Sequence, residues 1–347
     1  MSAFYLPAPT PAPTAPSGQC YLPVLFWSGN AASGVSARFF EYPGGAMGGS
    51  TTAIKPPASP FYFFGATYDR VAGRWLPVPA DAISPDGWSV VYVDYDLLPP
   101  PTSGLFNSGS PKAAGGLATE GQIHLVDLHT GADRILFQGS PTYEVVGFTA
   151  AGIYLAEVGI TMDGEFSSGL YLLDTAGGTP RAVPGGSHST DRSGWAVVGG
   201  AAWGTDYSSG GGLQPGNQLV RLDLKTGAVQ VWSTQPEGVA ASLIGLDSSG
   251  DPLMLTYSSG YSSTGSPPPD VPVEVWVMSA PGTGKVVYRN TQPGASLPAG
   301  PSFNDSNGLW LSGAPAGEVW LDSTQSGFGT VAVPTGGLNV SAGGTCA

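Results

Sequence analysis

The segment Val126–Phe137, which reads VDLHTGADRILF, contains the feature that decides the fold. An apolar run leads into Asp127, Gly131 follows four residues later, and a second apolar run begins soon after. The arrangement returns in LDTAGGTPRAV at Leu173–Val183 and in LDLKTGAVQVW at Leu222–Trp232. Glycine supplies the positive φ that a tight turn requires, so each copy predicts an antiparallel hairpin.

This hairpin recurs six times along the chain, with a period of roughly 50 residues. Its first turn position is occupied by Asp69, Asp127, Asp174, Asp223, Met278 and Asp322. A second turn precedes each of these hairpins, as in SPDG at Ser84–Gly87 and DSSG at Asp247–Gly250, with apolar runs on both sides. Each repeat therefore predicts four strands, A to D.

Six such repeats predict an all-β, six-bladed β-propeller built from four-stranded antiparallel blades. In the first blade we expect strands A and B at YLPVLFW and ARFFEY. Strands C and D are expected at FYFFGATY and RWLPV.

The SPDG turn, the aromatic strand after it and the Asp-x-x-x-Gly hairpin together resemble the TolB-like propellers. The resemblance covers roughly Cys20–Pro334, and it implies a fold rather than an activity. Tyr68–Gly87 also resembles a segment of bacterial surface and secreted propeller proteins. The sequence lacks the Gly-His and Trp-Asp pairs of WD40 repeats and the Asp boxes of sialidases.

Composition limits the partners that such a protein can have. The 347 residues include 53 glycines and 33 prolines but only 12 Lys plus Arg, and the net charge is −13. So few cations cannot build a basic patch, which argues against nucleic acid and against an anionic membrane surface. No apolar run is long enough to predict a membrane span, so we expect no membrane insertion.

Two cysteines, Cys20 and Cys346, lie at opposite ends of the predicted fold. They are either unrelated thiols or a disulfide that closes the ring in place of the shared strand that closes many propellers. A disulfide would place the protein outside the cytosol, at the cell surface or in the extracellular space. We predict a Pro-rich spacer at 1–19 and one propeller domain at 20–347, with a closing tail at 335–347. We expect that a leader or anchor once preceded this spacer and has been removed.

The residues that vary most in number between repeats lie in the B–C loops, which share one face of a propeller. Loops on a rigid scaffold often carry function, so this face is the predicted site. Its candidate binding residues are Tyr95, Phe106, Phe166, Trp203, Tyr207, Tyr257 and Tyr261. Aromatic rings beside polar groups suit either a glycan or a protein partner, and solvated loops without a ligand are the third alternative.

These loops also contain acidic residues that could take part in catalysis or metal binding. The candidates are Asp94, Asp96, Asp163, Glu165 and Asp206. A pair of them could act on a glycosidic bond, and a cluster could hold Ca²⁺. The three histidines form no metal-binding motif, so we expect no other cofactor and no zinc or iron site.

The sequence thus predicts an extracellular binding or interaction module whose ligand is a protein or a polysaccharide at the cell surface. A carbohydrate-active enzyme that uses the loop carboxylates is the first alternative. A structural subunit of a surface assembly is the second.

Overall fold

The computed structural model describes residues 6–28, 35–54, 66–97, 118–161, 164–186, 189–190, 195–206, 216–259, 271–292, 296–323 and 325–346. The protein is an all-β, six-bladed propeller, as predicted, and successive antiparallel sheets follow one another along the chain. Among the described residues, the helical structure consists of one 3-10 turn, Ala80–Ala82.

Blades three to six each take their strands from one continuous part of the chain. Blade three consists of β9 (Thr142–Thr149), β10 (Gly152–Thr161), β11 (Gly164–Leu173) and β12 (Arg181–Ala182), with β13 (Ser189–Thr190) also paired to β11. Blade four consists of β14 (Ala196–Val198), β15 (Ala201–Asp206), β16 (Gln218–Asp223) and β17 (Val229–Thr234). Blade five consists of β18 (Val239–Leu246), β19 (Pro252–Ser258), β20 (Val273–Ala280) and β21 (Thr283–Asn290), and blade six of β22 (Ala299–Asp305), β23 (Gly308–Ser312), β24 (Glu318–Ser323) and β25 (Gly327–Ala332). Within each of these blades the strands pair in chain order.

Blade one differs from the prediction in its strand order. Its sheet consists of β26 (Asn339–Ala342), β1 (Cys20–Trp27), β2 (Val35–Tyr42) and β3 (Met47–Ile54), in that order. Because the C-terminal strand takes the inner edge, β1 and β2 each move outward by one place. The outermost strand is then β3, which lies between the segments predicted as strands B and C.

The segments predicted as strands C and D of blade one form a separate small sheet instead. They contain β4 (Thr67–Asp69) and β5 (Arg74–Leu76), which pair only with each other among the described strands. Trp75 and Tyr68 of this hairpin pack on Phe39 of blade one in a buried cluster. The hairpin is therefore an extra layer packed against blade one.

Blade two contains β6 (Ser89–Leu97), β7 (Ala118–Asp127) and β8 (Asp133–Gly139). A single bridge between Ile83 and Val90 replaces its first strand. The chain before Ile83 instead forms the 3-10 turn Ala80–Ala82, which packs against β9 of blade three. This blade is consequently the least regular of the six at its inner edge.

The repeated Asp-x-x-x-Gly signature is a hydrogen-bonded turn. Asp127 Oδ1 accepts hydrogen bonds from the N–H groups of His129 and Thr130, at 2.9 and 2.8 Å. Gly131 has φ 71°, and its N–H donates to the carbonyl of Asp127. The side chain holds the turn and the glycine permits its handedness, which is why the two residues recur together.

The ring closes through strand pairing between the two ends of the chain. β26 pairs with β1 from Val24–Ala342 to Trp27–Asn339. The predicted Cys20–Cys346 disulfide is present, with its Cα atoms 5.4 Å apart. The expectation that the disulfide replaces a shared strand was wrong, because both closures occur side by side.

Polar contacts fix the C-terminal tail beside the disulfide. Arg70 donates hydrogen bonds to the carbonyl of Thr345 and, at 3.0 Å, to its hydroxyl. Asp305 Oδ2 accepts from the N–H of Cys346 at 2.6 Å and from the indole of Trp310 at 2.9 Å. Residues of blades one and six and of the extra hairpin thus meet at this seam.

The N-terminal segment lies along the propeller rather than apart from it. Residues 6–16 contain no strand or helix, which agrees with an extended Pro-rich segment. The N–H of Thr10 donates to the carbonyl of Gly73 at 2.7 Å, and Tyr68 donates to the carbonyl of Thr10 at 2.9 Å. Leu6 packs beside the core of blade two. The described part of the N-terminal segment therefore lies against the β4–β5 hairpin.

Because the ring is closed both by the disulfide and by the pairing of β26 with β1, removal of each should affect stability differently. Replacing both cysteines with serine removes a cross-link over 326 residues and should lower the free energy of unfolding by up to roughly 5 kcal/mol. The variant should still melt cooperatively, because β26 continues to hold β1. Differential scanning calorimetry measures both properties.

Removal of residues 335–347 from the Cys20→Ser variant deletes β26 as well. We expect this protein to lose its cooperative transition, since the inner edge of blade one is left unpaired. A truncated protein that melts like the double serine variant would show that β26 does not close the ring.

Candidate functional site

A cavity of about 710 Å³ runs along the axis of the propeller. Its wall comes from the first strands of four blades, from the 3-10 turn of blade two and from two residues of β19. Lining residues are Pro79, Ala80, Asp81, Val146, Trp195, Ala196, Val197, Val198, Ser242, Leu243, Ile244, Gly245, Leu255, Tyr257, Leu297, Pro298 and Ser302. This volume lies within the range of about 300–1,000 Å³ that is usual for ligand sites.

One end of the cavity lies at the face that carries the B–C loops. Trp195 directly precedes β14, and Leu297 and Pro298 precede β22, so all three stand where one blade connects to the next. Tyr257 lies next to the last residue of β19, where the B–C loop of blade five begins. Because both kinds of connection share one face, these residues surround the end of the cavity on that side.

Asp81 places a carboxyl group in this cavity. It is the middle residue of the 3-10 turn Ala80–Ala82, which begins after Pro79 at φ −67°. Ala82 on its inner side is buried, whereas Asp81 is exposed and lines the cavity. Ala82 thus fixes the turn in the core, and Asp81 lies at the wall of the axial cavity.

The surroundings of Asp81 change its acidity. Desolvation by the enclosing blades raises the pKa of the carboxyl group from its usual 3.8 to about 6, although the N–H groups of Asp81 and Ala82 act in the opposite direction. The side chain is accessible from the cavity, while the protein around it disfavours the charged form of the carboxyl group. A strongly perturbed carboxyl group in a cavity is a typical mark of a functional site.

The other polar groups of the cavity wall are few. Ser242 and Ser302 contribute hydroxyl groups, and Tyr257 contributes a half-buried ring. Trp195 is 3% exposed, and its indole N–H has no hydrogen-bond acceptor within the described parts of the chain. Most of the remaining wall is aliphatic, which gives the cavity the usual character of a small-molecule site.

Of the predicted binding residues, the structure brings Tyr257 to the cavity. Trp203 differs from the expectation: it is 4% exposed and packs edge-on against Trp232, with ring centroids 5.0 Å apart. Its position on β15 directs it into the core between blades, so its role in the structure is packing. Asp94 and Asp206 lie at half-buried positions of blades two and four, with blade three between them.

Several predicted site residues cannot be placed in full. Phe106, Asp163, Tyr207 and Tyr261 lie outside the described residues. Tyr95 and Asp96 belong to β6, and Glu165 and Phe166 belong to β11, but only their backbones are described. Their roles in binding or catalysis stay predictions.

Asp81 was not among the predicted site residues, because Tyr68–Gly87 was interpreted only through its predicted strand and turn and its resemblance to other propellers. A signal was present: in VPADAI, at 78–83, one acid stands alone within an apolar run that precedes a blade. The run occupies the place of a first strand, which lies at the axis of a propeller. A lone charge at that place predicts a group that faces the central cavity.

A second, smaller polar network lies away from the axis, in blade two. His124 Nδ1 lies 2.9 Å from Asp133 Oδ1, and Tyr92 donates a hydrogen bond of 2.7 Å to the other carboxylate oxygen. Gln122 lies 3.2 Å from His124 Nε2. These groups form hydrogen bonds with one another, which fits a structural role.

Over the described ranges there is no group of three or more His, Cys, Asp or Glu that could hold a metal ion.

Comparison with known proteins gives similarity of fold alone. No protein-family model and no curated sequence matches the chain. TolB from Acinetobacter baumannii is similar in structure at 14% identity and a TM-score of 0.49; the match covers 92% of this chain and 65% of that one. An oligogalacturonate lyase in complex with manganese matches at 9% identity and a TM-score of 0.46, covering 92% and 86% of the two chains. The chain thus spans about two thirds of the TolB structure.

The site predicts a pH dependence of stability that belongs to Asp81. Since its pKa is higher in the folded protein than in the unfolded chain, its ionisation costs folding free energy, and this cost develops between about pH 4 and pH 6. Asp81→Asn should therefore melt at a higher temperature than the native protein at pH 7.5, and the difference should vanish near pH 3.5.

A matched variant should show the opposite sign. The Ser84 hydroxyl and the Trp88 N–H donate to Asp86 and hold its pKa below the usual range. Asp86→Asn should accordingly melt at a lower temperature than the native protein at pH 7.5 and approach it in acid. Equal behaviour of the two variants in melting curves would contradict the environment assigned to Asp81.

Proposed function

We propose that this chain is a binding module that acts outside the cytosol and takes a small ligand, or part of a larger one, into its axial cavity. The observation that carries the proposal is the cavity itself, with a volume of about 710 Å³, a largely aliphatic wall and one carboxyl group. Concave sites of this size with a few polar groups suit specific recognition of a ligand.

The position of the cavity connects the proposal with the loop face. Tyr257 lines the cavity and also begins the B–C loop of blade five. A ligand that enters from this side would meet the loops first and the axial wall afterwards. The predicted contact of the B–C loops with a protein or a glycan is compatible with this arrangement, the loops holding the outer part of the same ligand.

Export is supported by the covalent closure of the ring. The Cys20–Cys346 disulfide links β1 to the tail that follows β26, and disulfides persist mainly in oxidising compartments. The part of the chain that the structure describes has no helix long and apolar enough to span a membrane. On the basis of the disulfide, we propose that the module works at the cell surface or in the extracellular space.

A cavity-filling experiment tests the proposal across several ligand classes at once. The native protein is screened by thermal shift against a panel of monosaccharides, oligosaccharides, carboxylates and amines. A compound present at one hundred times its Kd adds about 3 kcal/mol to the free energy of unfolding, which raises the melting temperature. We expect at least one saturable shift, and we expect Ser242→Leu and Ala196→Phe to abolish it.

The control is Ser326→Leu, at an exposed turn position away from the cavity. This variant should keep the full shift, and circular dichroism should show that all three variants fold. The proposal is wrong if no compound of the panel shifts the native protein, or if the shifts survive both cavity-filling variants.

A further inference from the structure

We propose that the ligand of the axial cavity is an organic cation, a protonated amine or a quaternary ammonium group, whose charge pairs with Asp81. This inference rests on the proposed function, because it names the chemical class of the ligand for the same cavity.

The first support is the charge of the wall. Asp81 is the only acidic side chain among the described residues that line the cavity, and that lining contains no Lys, Arg or His. The cavity therefore presents a net negative charge with no counter-ion from the described wall. A ligand that complements it must bring a positive charge, and a carboxylate or phosphate would be repelled.

The second support is the cost of ionising this carboxyl group without a cationic partner. The surrounding blades disfavour its charged form and raise its pKa, although the side chain keeps contact with solvent through the cavity. A charge in such surroundings is expensive unless an opposite charge or hydrogen bonds compensate it. A bound ammonium group would supply the missing positive charge, so part of the binding free energy would come from its pairing with the carboxylate.

The third support is the apolar character of the remaining wall. Val146, Val198, Ile244 and Leu255 surround the axis from four different strands. They offer contact to the hydrocarbon part of an organic cation. The ring of Tyr257 can also lie against an ammonium group, an interaction that strengthens where water is excluded.

The same wall argues against two other occupants. Ca²⁺ takes six to eight oxygen ligands, whereas the described wall offers one carboxylate, two serine hydroxyls and one tyrosine hydroxyl among its side chains. A sugar needs several hydrogen-bonding partners around its ring, and these are sparse here. An organic cation needs one anionic contact and an apolar surface, and both are present.

The test compares cations with their uncharged analogues by isothermal titration calorimetry on the full chain. The probe pairs are 2-phenylethylamine with 2-phenylethanol, and choline with 3,3-dimethylbutan-1-ol. We expect the cation of at least one pair to bind about tenfold or more tightly than its neutral partner. Asp81→Asn keeps the size of the side chain and should remove this preference.

Asp251→Asn is the matched control, because it deletes the same charge at a turn that does not line the cavity. It should bind the cation as the native protein does. The inference is overturned if neutral analogues bind as tightly as the cations, if Asp81→Asn keeps the preference, or if no probe of either pair binds. A sugar that binds with unchanged affinity to Asp81→Asn and is lost in Ser242→Leu would also overturn it, while leaving the cavity as the binding site.

Discussion

The pairing of β26 with β1 is the constraint on which the rest of the structure depends. In a propeller each blade packs only on its neighbours, so the ring is stable as a ring only if its last seam closes. Here four backbone positions of β26 pair with β1, and Trp310 of blade six packs with Leu22 and Phe40 of blade one in a shared core. Because the seam is held by strand pairing, packing and a disulfide, the first strands of the blades are kept around one axis.

The axial cavity follows from this closure, and blade two gives it its chemistry. Where the other blades direct a strand along the axis, blade two has a 3-10 turn with Asp81 exposed and Ala82 buried. A regular strand at this place would bond its backbone to β6 over several residues. The irregular turn gives up most of that pairing and places a carboxylate at the axis, an exchange that is typical of functional sites.

Much of the fold was predictable because it depends on local chemistry. The turns at Asp127 and Asp223 form through side-chain hydrogen bonds to residues two and three positions later, and glycine follows in both. Such contacts can be inferred from a short segment. The strand order of blade one could not, since it depends on where β26, more than 300 residues away from β1, finds its partner. Asp81 was missed for a related reason: its enclosure is produced by four other blades.

Asp81 is the one acidic side chain among the described residues that line the axial cavity, and we propose that an organic cation pairs with it there. The most direct measurement is a ¹³C NMR titration of the carboxyl carbon of Asp81, assigned by comparison with Asp81→Asn, without and with saturating 2-phenylethylamine. The account predicts a midpoint near pH 6 for the free protein. It also predicts a clear fall of that midpoint when the amine is bound, because the ammonium group stabilises the ionised form. A midpoint near 4 in the free protein, or one that the amine leaves unchanged, would contradict it.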